Sequence, residues 1–488
     1  MRWYIIFKYE CDSRKVTKDQ IFIALKGITH DGHDYINEAI KNGAKRIISE
    51  KKIDSEVPCT IVDNSFDYLC NLLYIDYKDI INNLFIIGIT GTNGKTTSAY
   101  LTYLMLNSLK IPCAYIGTLG YINKNEQIKL ENTTPDVLNM YKLLVHSYEI
   151  GIKYIVMEVS SHSLSMNRLY KIGFDIACFT NLTIDHLDYH KDMTNYLNSK
   201  LLILDHLKEN GITIYNNDDE KGYKFRKNGH KSISYGYNGD FKIIDYKLDI
   251  NETNLIFNYE NKDYEVKIPL TSSFNVYNYL LMVSIVHELG FKIEKIIENT
   301  RFLGAPPGRC ELIEGNVARV LIDYAHTPDA MEKLIKSIKN IKKGKIFVIF
   351  GCGGDRDKSK RSIMGHISTT LADFVIITND NPRNEDENEI VKDIIRGIDK
   401  NNYKVILDRS AAIRGGIELL GKDDILLILG KGHETYQIKS NIKHHFSDKE
   451  EVLRYIKEKQ LWFLFYFYPT LLLFNFFFNY HNVIIIIV

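Results

Sequence analysis

A lysine, four threonines and spaced glycines stand together in the stretch GITGTNGKTT, residues Gly88 to Thr97. An apolar run precedes the stretch, and a helix-like segment follows it. In this setting backbone N–H groups cradle phosphate oxygens, lysine neutralises their charge and a threonine hydroxyl binds magnesium. The pattern predicts a nucleotide-binding loop, with a structural glycine turn as the alternative. Its expected contact residues are Gly91, Thr92, Asn93, Gly94, Lys95, Thr96 and Thr97.

Acidic and imidazole side chains follow two further apolar runs. Glu158 ends the run in MEVSSHSL, and His186 follows the next in TNLTIDHLDYH. The carboxyl ends of parallel strands meet at one edge of a sheet, where ligands bind. Mg²⁺ prefers hard oxygen ligands and keeps water and phosphate for the rest. Two such loops beside a phosphate loop indicate a magnesium site. A cap or a solvated loop residue is the alternative for each side chain taken singly.

The elements that must position these residues form three blocks. Residues 1–83 alternate short apolar runs with helix-like stretches, and residues 84–308 contain the buried-strand patterns LFIIGIT, YIVMEV, IACFTNL and GITIYN. Residues 309–460 contain further buried-strand patterns, which are RVLIDY, KIFVIFG, FVIITND and DILLILG. These patterns predict an α/β protein with mostly parallel sheets and three domains. The linker is expected at Ala305–Arg309, APPGR.

Composition limits the partners. Lys and Arg total 62 against 61 Asp and Glu, so the net charge of +1 gives no global field for nucleic acid or an anionic membrane. The seven cysteines contain no CxxC pair and indicate a reducing compartment. The first residues lack the features of a signal peptide. We therefore expect a cytoplasmic protein, monomeric, without nucleic-acid or membrane partners.

The last stretch, residues 461–488, contains no Asp, Glu, Lys or Arg. Its length suffices to cross a bilayer, so a tail anchor is one interpretation. Pro469, Asn475 and Asn479 weaken it as a membrane helix. We favour a tail foreign to the fold, such as translation of AT-rich DNA past a lost stop codon.

Together these motifs resemble the Mur ligase family, from DSRKV at Asp12 to HFSDKE at His445–Glu450. Within that family, DNPR at Asp380–Arg383 resembles the branch that adds meso-2,6-diaminopimelate to UDP-N-acetylmuramoyl-L-alanyl-D-glutamate. The resemblance implies an N-terminal UDP-sugar domain, a central ATP-binding domain and a Rossmann-like domain for the amino acid. It also implies ATP, Mg²⁺ and an acyl phosphate intermediate in peptidoglycan precursor synthesis.

The resemblance also assigns residues. It implies that Lys95, Glu158, His186 and Lys200 are catalytic, and that Lys200 is carbamylated and binds metal with Thr96, Glu158 and His186. Read alone, Lys200 is a lysine reaching water from an amphipathic helix. Further ATP contacts are Asn275, Asn278, Arg309 and Asp323. The UDP-muramoyl peptide contacts are Ser13, Asn132, Thr133, Thr134, Ser160 and Arg168, with the run 28–30 at the uridine end. The diaminopimelate contacts are Arg356, Asp380, Asn381, Pro382, Arg383, Gly430 and Glu434.

Three alternatives stay open from sequence. A folylpolyglutamate synthase-like ligase shares the phosphate loop and central fold, although NTTPD at Asn132–Asp136 and DNPR speak against it. A P-loop switch protein or transport ATPase would hydrolyse nucleotide without an amino acid. A decaying gene product is suggested only by the tail and the short start, and the intact motifs argue against it.

Overall fold

The computed structural model describes residues 7–27, 30–315 and 318–467, with side chains described as far as residue 459. Internal contacts divide it into two compact units. The first runs up to Lys247 and takes in Asn254–Pro269 and Phe274–Gly304. The second takes in Leu248–Thr253, Leu270–Ser273 and the chain from Ala305 onward.

The first unit begins with a small parallel sheet in the strand order β1-β2-β3-β4. Phe22, Ala24 and Ile47 of this sheet pack on Ile36 and Ala39 of the first helix. The elements are β1 Tyr9–Glu10, β2 Ile21–Ile23, α1 Ile36–Lys41, β3 Arg46–Ser49, β4 Cys59–Ile61 and α2 Ser65–Asn82, with 3-10 turns at Ser13–Lys15 and Gly32–Tyr35.

A larger sheet of eleven strands follows, and its strand order is β15-β14-β13-β12-β11-β10-β5-β9-β6-β7-β8. The strands are β5 Phe85–Thr90, β6 Cys113–Gly117, β7 Gly120–Ile122, β8 Gln127–Ile128, β9 Tyr154–Glu158, β10 Phe174–Phe179, β11 Leu207–Asn216, β12 Ser232–Gly236, β13 Phe241–Leu248, β14 Thr253–Tyr259 and β15 Lys262–Ile268. The helices are α3 Lys95–Ser108, α4 Val137–Glu149, α5 Ser161–Ser165, α6 Leu187–His190, α7 Met193–Leu201, α8 Ser273–Glu288 and α9 Ile293–Asn299, with 3-10 turns at Leu202–His206, Gly222–Phe225 and Thr300–Phe302.

The centre of this sheet is parallel, and β5 lies between β10 and β9. Gly88 on β5 permits close packing, because a Cβ there would lie 2.7 Å from the ring of Phe174 on β10. The strand order therefore brings the ends of β9, β5 and β10 side by side. This is the edge at which an open parallel sheet binds ligands.

The second unit holds a sheet in the order β16-β17-β21-β18-β19-β20 and a β22–β23 hairpin. Only the β16–β17 pair of the larger sheet is antiparallel. The strands are β16 Glu311–Gly315, β17 Ala318–Asp323, β18 Ile346–Phe350, β19 Phe374–Ile377, β20 Tyr403–Val405, β21 Ile425–Leu429, β22 Tyr436–Lys439 and β23 Ile442–His445. The helices are α10 Pro328–Lys339, α11 Ser359–Leu371, α12 Glu387–Ile395, α13 Arg409–Glu418 and α14 Asp448–Phe467.

The α/β class with parallel sheets is confirmed, and the three larger sheets fall within residues 1–83, 84–308 and 309–460. Sequence reasoning did not anticipate β13, β14 and β15. In the first half of β13 buried and exposed residues alternate: Phe241 and Ile243 are buried, whereas Lys242 and Ile244 are exposed. Such half-buried strands lack the long apolar runs that mark the centre of the sheet.

The last helix, α14, runs past residue 460 to Phe467. Val452 and Ile456 anchor it in the core of the second unit. No helix within the described residues is long and apolar enough to cross a membrane. The remainder of the predicted tail, residues 468–488, lies outside the described residues.

A chain ending at Gln460 is expected to keep its full activity, within about twofold, because the buried anchors of α14 precede that point. Turnover and thermal unfolding of the shortened and full chains, measured side by side, test this expectation. Loss of turnover with an unchanged unfolding temperature would assign the apolar stretch a role in the active protein.

Candidate active site

The phosphate loop joins β5 to α3, and its glycines are required by shape. Gly94 caps α3 with φ 86°, in the left-handed region. Gly91 has φ 144°, and a Cβ on it would lie 1.9 Å from Thr180 Oγ1. A side chain at either position is therefore excluded by conformation or by contact.

The end of β10 holds the loop in place. The backbone N–H groups of Thr92 and Asn93 donate to the carbonyl and side-chain oxygens of Asn181, at 2.8 and 3.0 Å. Thr180 Oγ1 donates to the Asn93 carbonyl at 2.6 Å. These bonds fix the loop against the end of β10.

Lys95 lies along the loop, where its Nζ donates to the carbonyls of Gly91 and Thr92 at 2.8 and 2.7 Å. Lys200 on α7 reaches the same point, with Nζ donating to the Gly91 carbonyl at 2.8 Å. Two amino groups thus converge on one carbonyl oxygen. Lys95, predicted to neutralise the phosphate, therefore lies at the loop, and Lys200, predicted to bind magnesium as a carbamate, lies beside it.

Lys200 is buried, which excludes the interpretation of a lysine reaching water. Its Nζ lies 4.3 Å from the ring centre of Tyr196. Burial, and then the charge of Lys95, lower its pKa well below the ordinary value. A lysine of lowered pKa has the neutral amine needed for reaction with CO₂, so the surroundings of Lys200 fit carbamylation.

Glu158 ends β9, fully buried, and its carboxylate lies beside the loop. Thr96 Oγ1 donates to Glu158 Oε2 at 2.8 Å. Thr118 donates to the same carboxylate through its N–H at 2.8 Å and its hydroxyl at 3.2 Å, and the Tyr115 hydroxyl donates as well. Neither Tyr115 nor Thr118 was identified from the sequence, since nothing in the stretch AYIGTLGY marks them.

The Thr96–Glu158 pair suits a magnesium ion. Thr96 Oγ1 and Glu158 Oε2 are hard oxygen atoms held together by a hydrogen bond, and Mg²⁺ prefers oxygen ligands of this kind. Among the described side chains no three His, Cys, Asp or Glu residues are grouped to hold a metal. Magnesium here would therefore depend on the Thr96 hydroxyl and the Glu158 carboxylate, together with carbamate, water and phosphate oxygens.

His186 caps α6 with φ 55°, and its side chain is 47% exposed. Its ring lies edge-on to His162, with centroids 5.0 Å apart. Partial removal from water lowers its pKa, Asp185 opposes the shift, and the charges of His162, Lys95 and Lys200 add to it. A neutral imidazole is the form that binds metal.

Four of the residues predicted to hold the muramoyl peptide are brought together next to Glu158. Thr134 Oγ1 donates to the Glu158 carbonyl at 2.9 Å and to Ser160 Oγ at 3.3 Å. Arg168 donates to the Thr134 carbonyl at 3.0 Å, and Thr133 Oγ1 lies 3.2 Å from Thr118 Oγ1. The cluster joins the β9 loop to the segment before α4.

Ser13 and Asn132 lie apart from this cluster. Ser13 is buried and donates to Glu38 in the N-terminal sheet region. Asn132 is exposed and lines a cavity of about 640 Å³ that also touches Lys15, Thr17 and Glu131. Of the uridine-end run, residues 28 and 29 lie outside the described residues, and His30 is exposed.

The predicted adenine-side residues adjoin the loop from α8. Asn278 Oδ1 accepts from Ser98 Oγ at 3.2 Å, and Asn278 Nδ2 donates to Asn275 Oδ1 at 2.9 Å. A Cβ on Gly94 would lie 2.5 Å from Asn278 Oδ1. Both asparagines therefore belong to the loop's immediate surroundings.

In the second unit, Arg309 and Asp323 lie near each other. The Arg309 guanidinium lies 4.4 Å from the Tyr324 ring centre. Asp323 ends β17 and accepts from the N–H groups of Cys310 and Ala325, each at 2.7 Å. Burial raises the Asp323 pKa, and the Arg309 charge opposes the shift.

DNPR forms a turn in which Arg383 has φ 54°. Arg383 Nη1 donates to the Gly354 carbonyl at 2.7 Å. A Cβ on Gly353 would lie 2.9 Å from Arg383 Nη1 and 3.6 Å from Arg356 Cγ, so the two predicted arginines flank one glycine. Pro382 is buried beside them.

Asn381 and Glu434 meet at a lysine that sequence reasoning missed. Lys431 Nζ donates to Asn381 Oδ1 at 3.2 Å and to Glu434 Oε2 at 2.9 Å, and its side chain is fully buried. Asn381 Nδ2 also donates to Glu434 Oε2 at 2.9 Å. The glycines on either side of Lys431 in GKGHE were the available signal.

Gly430 completes the predicted set. Its φ is 109°, and a Cβ there would lie 2.8 Å from Asp380 Oδ2. The loops after β19 and β21 therefore touch through Asp380 and Gly430. All the residues predicted to bind diaminopimelate follow the carboxyl ends of β18, β19 and β21, at one edge of the six-stranded sheet of the second unit.

A parallel-sheet core with a glycine-rich loop opening a helix, a loop lysine and a buried carboxylate defines a P-loop nucleotide-binding protein. The Mur ligase middle domain matches residues 89–286, the Mur ligase glutamate ligase domain matches residues 308–432, and the Mur ligase family catalytic domain matches residues 8–69. The chain belongs to the Mur ligase family.

Curated relatives match along nearly the whole length. The chain is 40% identical to a UDP-N-acetylmuramoyl-L-alanyl-D-glutamate–2,6-diaminopimelate ligase of Clostridium acetobutylicum, over 92% of this chain and 94% of that protein. It is 41% identical to the ligase of that name from Fusobacterium nucleatum, over 93% and 94%. A solved structure of such a ligase aligns with TM-score 0.65 and 31% identity, covering 93% of this chain and 95% of that one. The family resemblance and the three-domain architecture are confirmed.

Proposed function

We propose that the chain is an ATP-dependent ligase that joins meso-2,6-diaminopimelate to UDP-N-acetylmuramoyl-L-alanyl-D-glutamate in peptidoglycan precursor synthesis. The observation that carries this proposal is the convergence of Lys95 and Lys200 on the Gly91 carbonyl, with the Thr96–Glu158 pair at the same loop. The names of the full-length relatives supply the substrates.

The first step is phosphoryl transfer. The γ-carboxylate of the D-glutamate residue attacks the γ-phosphorus of ATP, the bond to the bridging oxygen breaks, and ADP leaves. Lys95 neutralises the transferring group, while Arg168, Thr134 and Ser160 orient the peptide carboxylate. Positioning and charge neutralisation suffice for this chemistry, so no protein nucleophile is needed.

The second step forms the amide. The amino group of diaminopimelate attacks the acyl carbon, the carbon–nitrogen bond forms, and phosphate leaves with one former carboxylate oxygen. Exclusion of water protects the acyl phosphate from hydrolysis until the amine arrives. No side chain has to form a covalent bond to the substrate.

Magnesium fits the residues present. Thr96 and Glu158 would hold one ion, and His186 with a carbamate on Lys200 would hold a second. When bound, these ions supply charge neutralisation to the phosphoryl group. The protein itself holds the phosphate loop, the Glu158 carboxylate and Lys200 in fixed positions relative to one another.

Selectivity for diaminopimelate is assigned to the second unit. Diaminopimelate differs from lysine by a carboxylate at its far end, and a guanidinium binds a carboxylate through two parallel hydrogen bonds. Arg383 and Arg356, on either side of Gly353, supply that recognition. Glu434, held by Lys431 and Asn381, receives the neighbouring ammonium group.

Arg383→Ala tests the assignment. Wild type is expected to prefer diaminopimelate over lysine by about a hundredfold or more, because lysine has no far-end carboxylate to pair with the partly buried Arg383 guanidinium. The variant should lose kcat/KM for diaminopimelate steeply while that for lysine hardly changes. Arg414→Ala, an exposed pair partner of Glu418 on α13, is the matched control and should behave as wild type. Equal loss with both acceptors would make DNPR a structural turn.

The cellular setting follows from the proposed substrates. ATP and a UDP-linked precursor are cytoplasmic metabolites, and the seven cysteines are free thiols, as a reducing compartment allows. We propose a cytoplasmic monomer without nucleic-acid or membrane partners. A folylpolyglutamate synthase-like activity is not favoured, since the full-length relatives carry the diaminopimelate ligase name.

A further inference from the structure

Arg409 and Asp448 form an ion pair within the second unit in which both side chains are fully buried. Arg409 opens α13 and Asp448 opens α14. Two parallel bonds join them, Nε to Oδ1 at 2.7 Å and Nη2 to Oδ2 at 2.8 Å. The carboxylate thereby fixes the plane of the guanidinium.

The remaining donors of Arg409 point at two strand ends. Nη1 donates to the Asn379 carbonyl at 3.2 Å, and Nη2 donates to the Leu429 carbonyl at 3.1 Å. Asn379 directly precedes Asp380, the start of DNPR, and Leu429 directly precedes Gly430. One side chain is therefore bonded to the roots of both loops assigned to diaminopimelate.

The two loops bond directly through Asn381, Lys431 and Glu434, and Arg383 forms a β-bridge with Lys439 farther along the chain, but their roots on the sheet share no strand pairing. In the strand order β21-β18-β19, β18 separates the strands from which the loops emerge. Neighbouring strands lie about 4.8 Å apart, so β19 and β21 lie about 10 Å apart within the sheet, and beyond the strand ends the two chain segments approach until one guanidinium reaches both carbonyls. A planar arginine fork held at one side by a carboxylate can bridge that gap, whereas a lysine offers a single flexible ammonium.

We propose that Arg409, oriented by Asp448, is a positioning residue that sets the spacing between the DNPR loop and the GKGHE loop and so determines selectivity for diaminopimelate. The inference rests on the proposed function. Arg409 does not contact the amino acid. It acts by fixing the roots of the two loops at Asn379 and Leu429, so that the direct contacts of Asn381 with Lys431 and Glu434 form at the position that diaminopimelate requires.

Arg409→Lys and Asp448→Asn test this role. For each variant, kcat/KM is measured with diaminopimelate and with lysine on the same preparation, together with KM for the UDP-linked dipeptide. The ratio of the two kcat/KM values does not depend on the folded fraction, so partial unfolding cannot imitate the effect. Misplacement of a binding group by about 1 Å can cost about a hundredfold.

In Arg409→Lys the selectivity ratio should fall at least about tenfold through a higher KM for diaminopimelate, with KM for the UDP-linked dipeptide unchanged. Asp448→Asn keeps the side-chain size and should show a smaller fall in the same direction. Should Arg409→Lys not fold, Asp448→Asn decides alone. An unchanged ratio in the folded variants overturns the proposal.

Lys342→Met is the matched control. Lys342 pairs with Asp373 at 2.6 Å, and Asp373 accepts from the Ile346 N–H at 2.8 Å, at the opposite ends of β18 and β19. Lys342→Met should leave the kcat/KM ratio of diaminopimelate to lysine at the wild-type value. A fall in that ratio as large as in Arg409→Lys also overturns the proposal. If the wild-type enzyme shows no preference for diaminopimelate, the proposed substrate is wrong. If the wild-type enzyme is selective and the variants are equally selective, only the role of Arg409 is wrong.

Discussion

Lys95→Ala is expected to abolish ligation nearly completely, with kcat reduced by a factor of about a hundred to a thousand. The Nζ of Lys95 lies on the inner side of the phosphate loop, 2.8 Å from the Gly91 carbonyl. Loss of one preorganised charge opposite a transferring group typically costs about 3 to 4 kcal/mol. The measurement is ADP release with all three substrates present, alongside tripeptide formation.

Lys110→Ala provides the control for Lys95→Ala, because Lys110 is an exposed lysine just beyond the far end of the same helix. It should retain wild-type turnover. Near-normal ADP release by Lys95→Ala in the presence of both other substrates would contradict the phosphate-loop assignment.

Lys200→Ala should be folded yet nearly inactive, and short carboxylates such as formate should partly restore turnover. The reason is that a carbamate on Lys200 would be a metal ligand, which a small anion in the vacated space can replace. Lys200→Arg keeps a positive charge but forms no carbamate, so it should be inactive and should not respond to formate. Thermal unfolding of each variant controls for the cavity left by a buried side chain.

Lys95→Ala again serves as a comparison, because formate should not restore its turnover. Direct detection is available too, since wild type equilibrated with ¹³C-labelled CO₂ should show a carbamate resonance that Lys200→Ala lacks. Full activity of the alanine variant, or absence of that resonance from active wild type, would remove Lys200 from the metal site.

Local chemistry made part of this site predictable from sequence. The glycines, Lys95 and Thr96 have a fixed spacing because backbone geometry around a phosphate dictates it. The buried strands are long apolar runs, and their carboxyl ends carry the polar residues. Parallel order then placed Glu158 and the phosphate loop together, as the strand sequence β10-β5-β9 requires.

Other features depend on contacts between residues far apart in sequence. From sequence alone Lys200 was interpreted as a surface lysine, because helical periodicity does not reveal its contacts with Tyr196 and the Gly91 carbonyl. Tyr115 reaches Glu158 across 43 positions, and Arg409 reaches Asp448 across 39. Burial of such partners follows from packing, which a linear pattern does not contain.

The central claim is ATP-driven amide formation through an acyl phosphate, and an oxygen label tests it most directly. The UDP-linked dipeptide, labelled with ¹⁸O in its γ-carboxylate, is incubated with ATP, magnesium and diaminopimelate, and the products are analysed by mass spectrometry. The account predicts UDP-linked tripeptide in amounts equal to ADP, with one ¹⁸O atom transferred into each released phosphate. Unlabelled phosphate released without tripeptide would contradict it and indicate a P-loop nucleotide hydrolase instead.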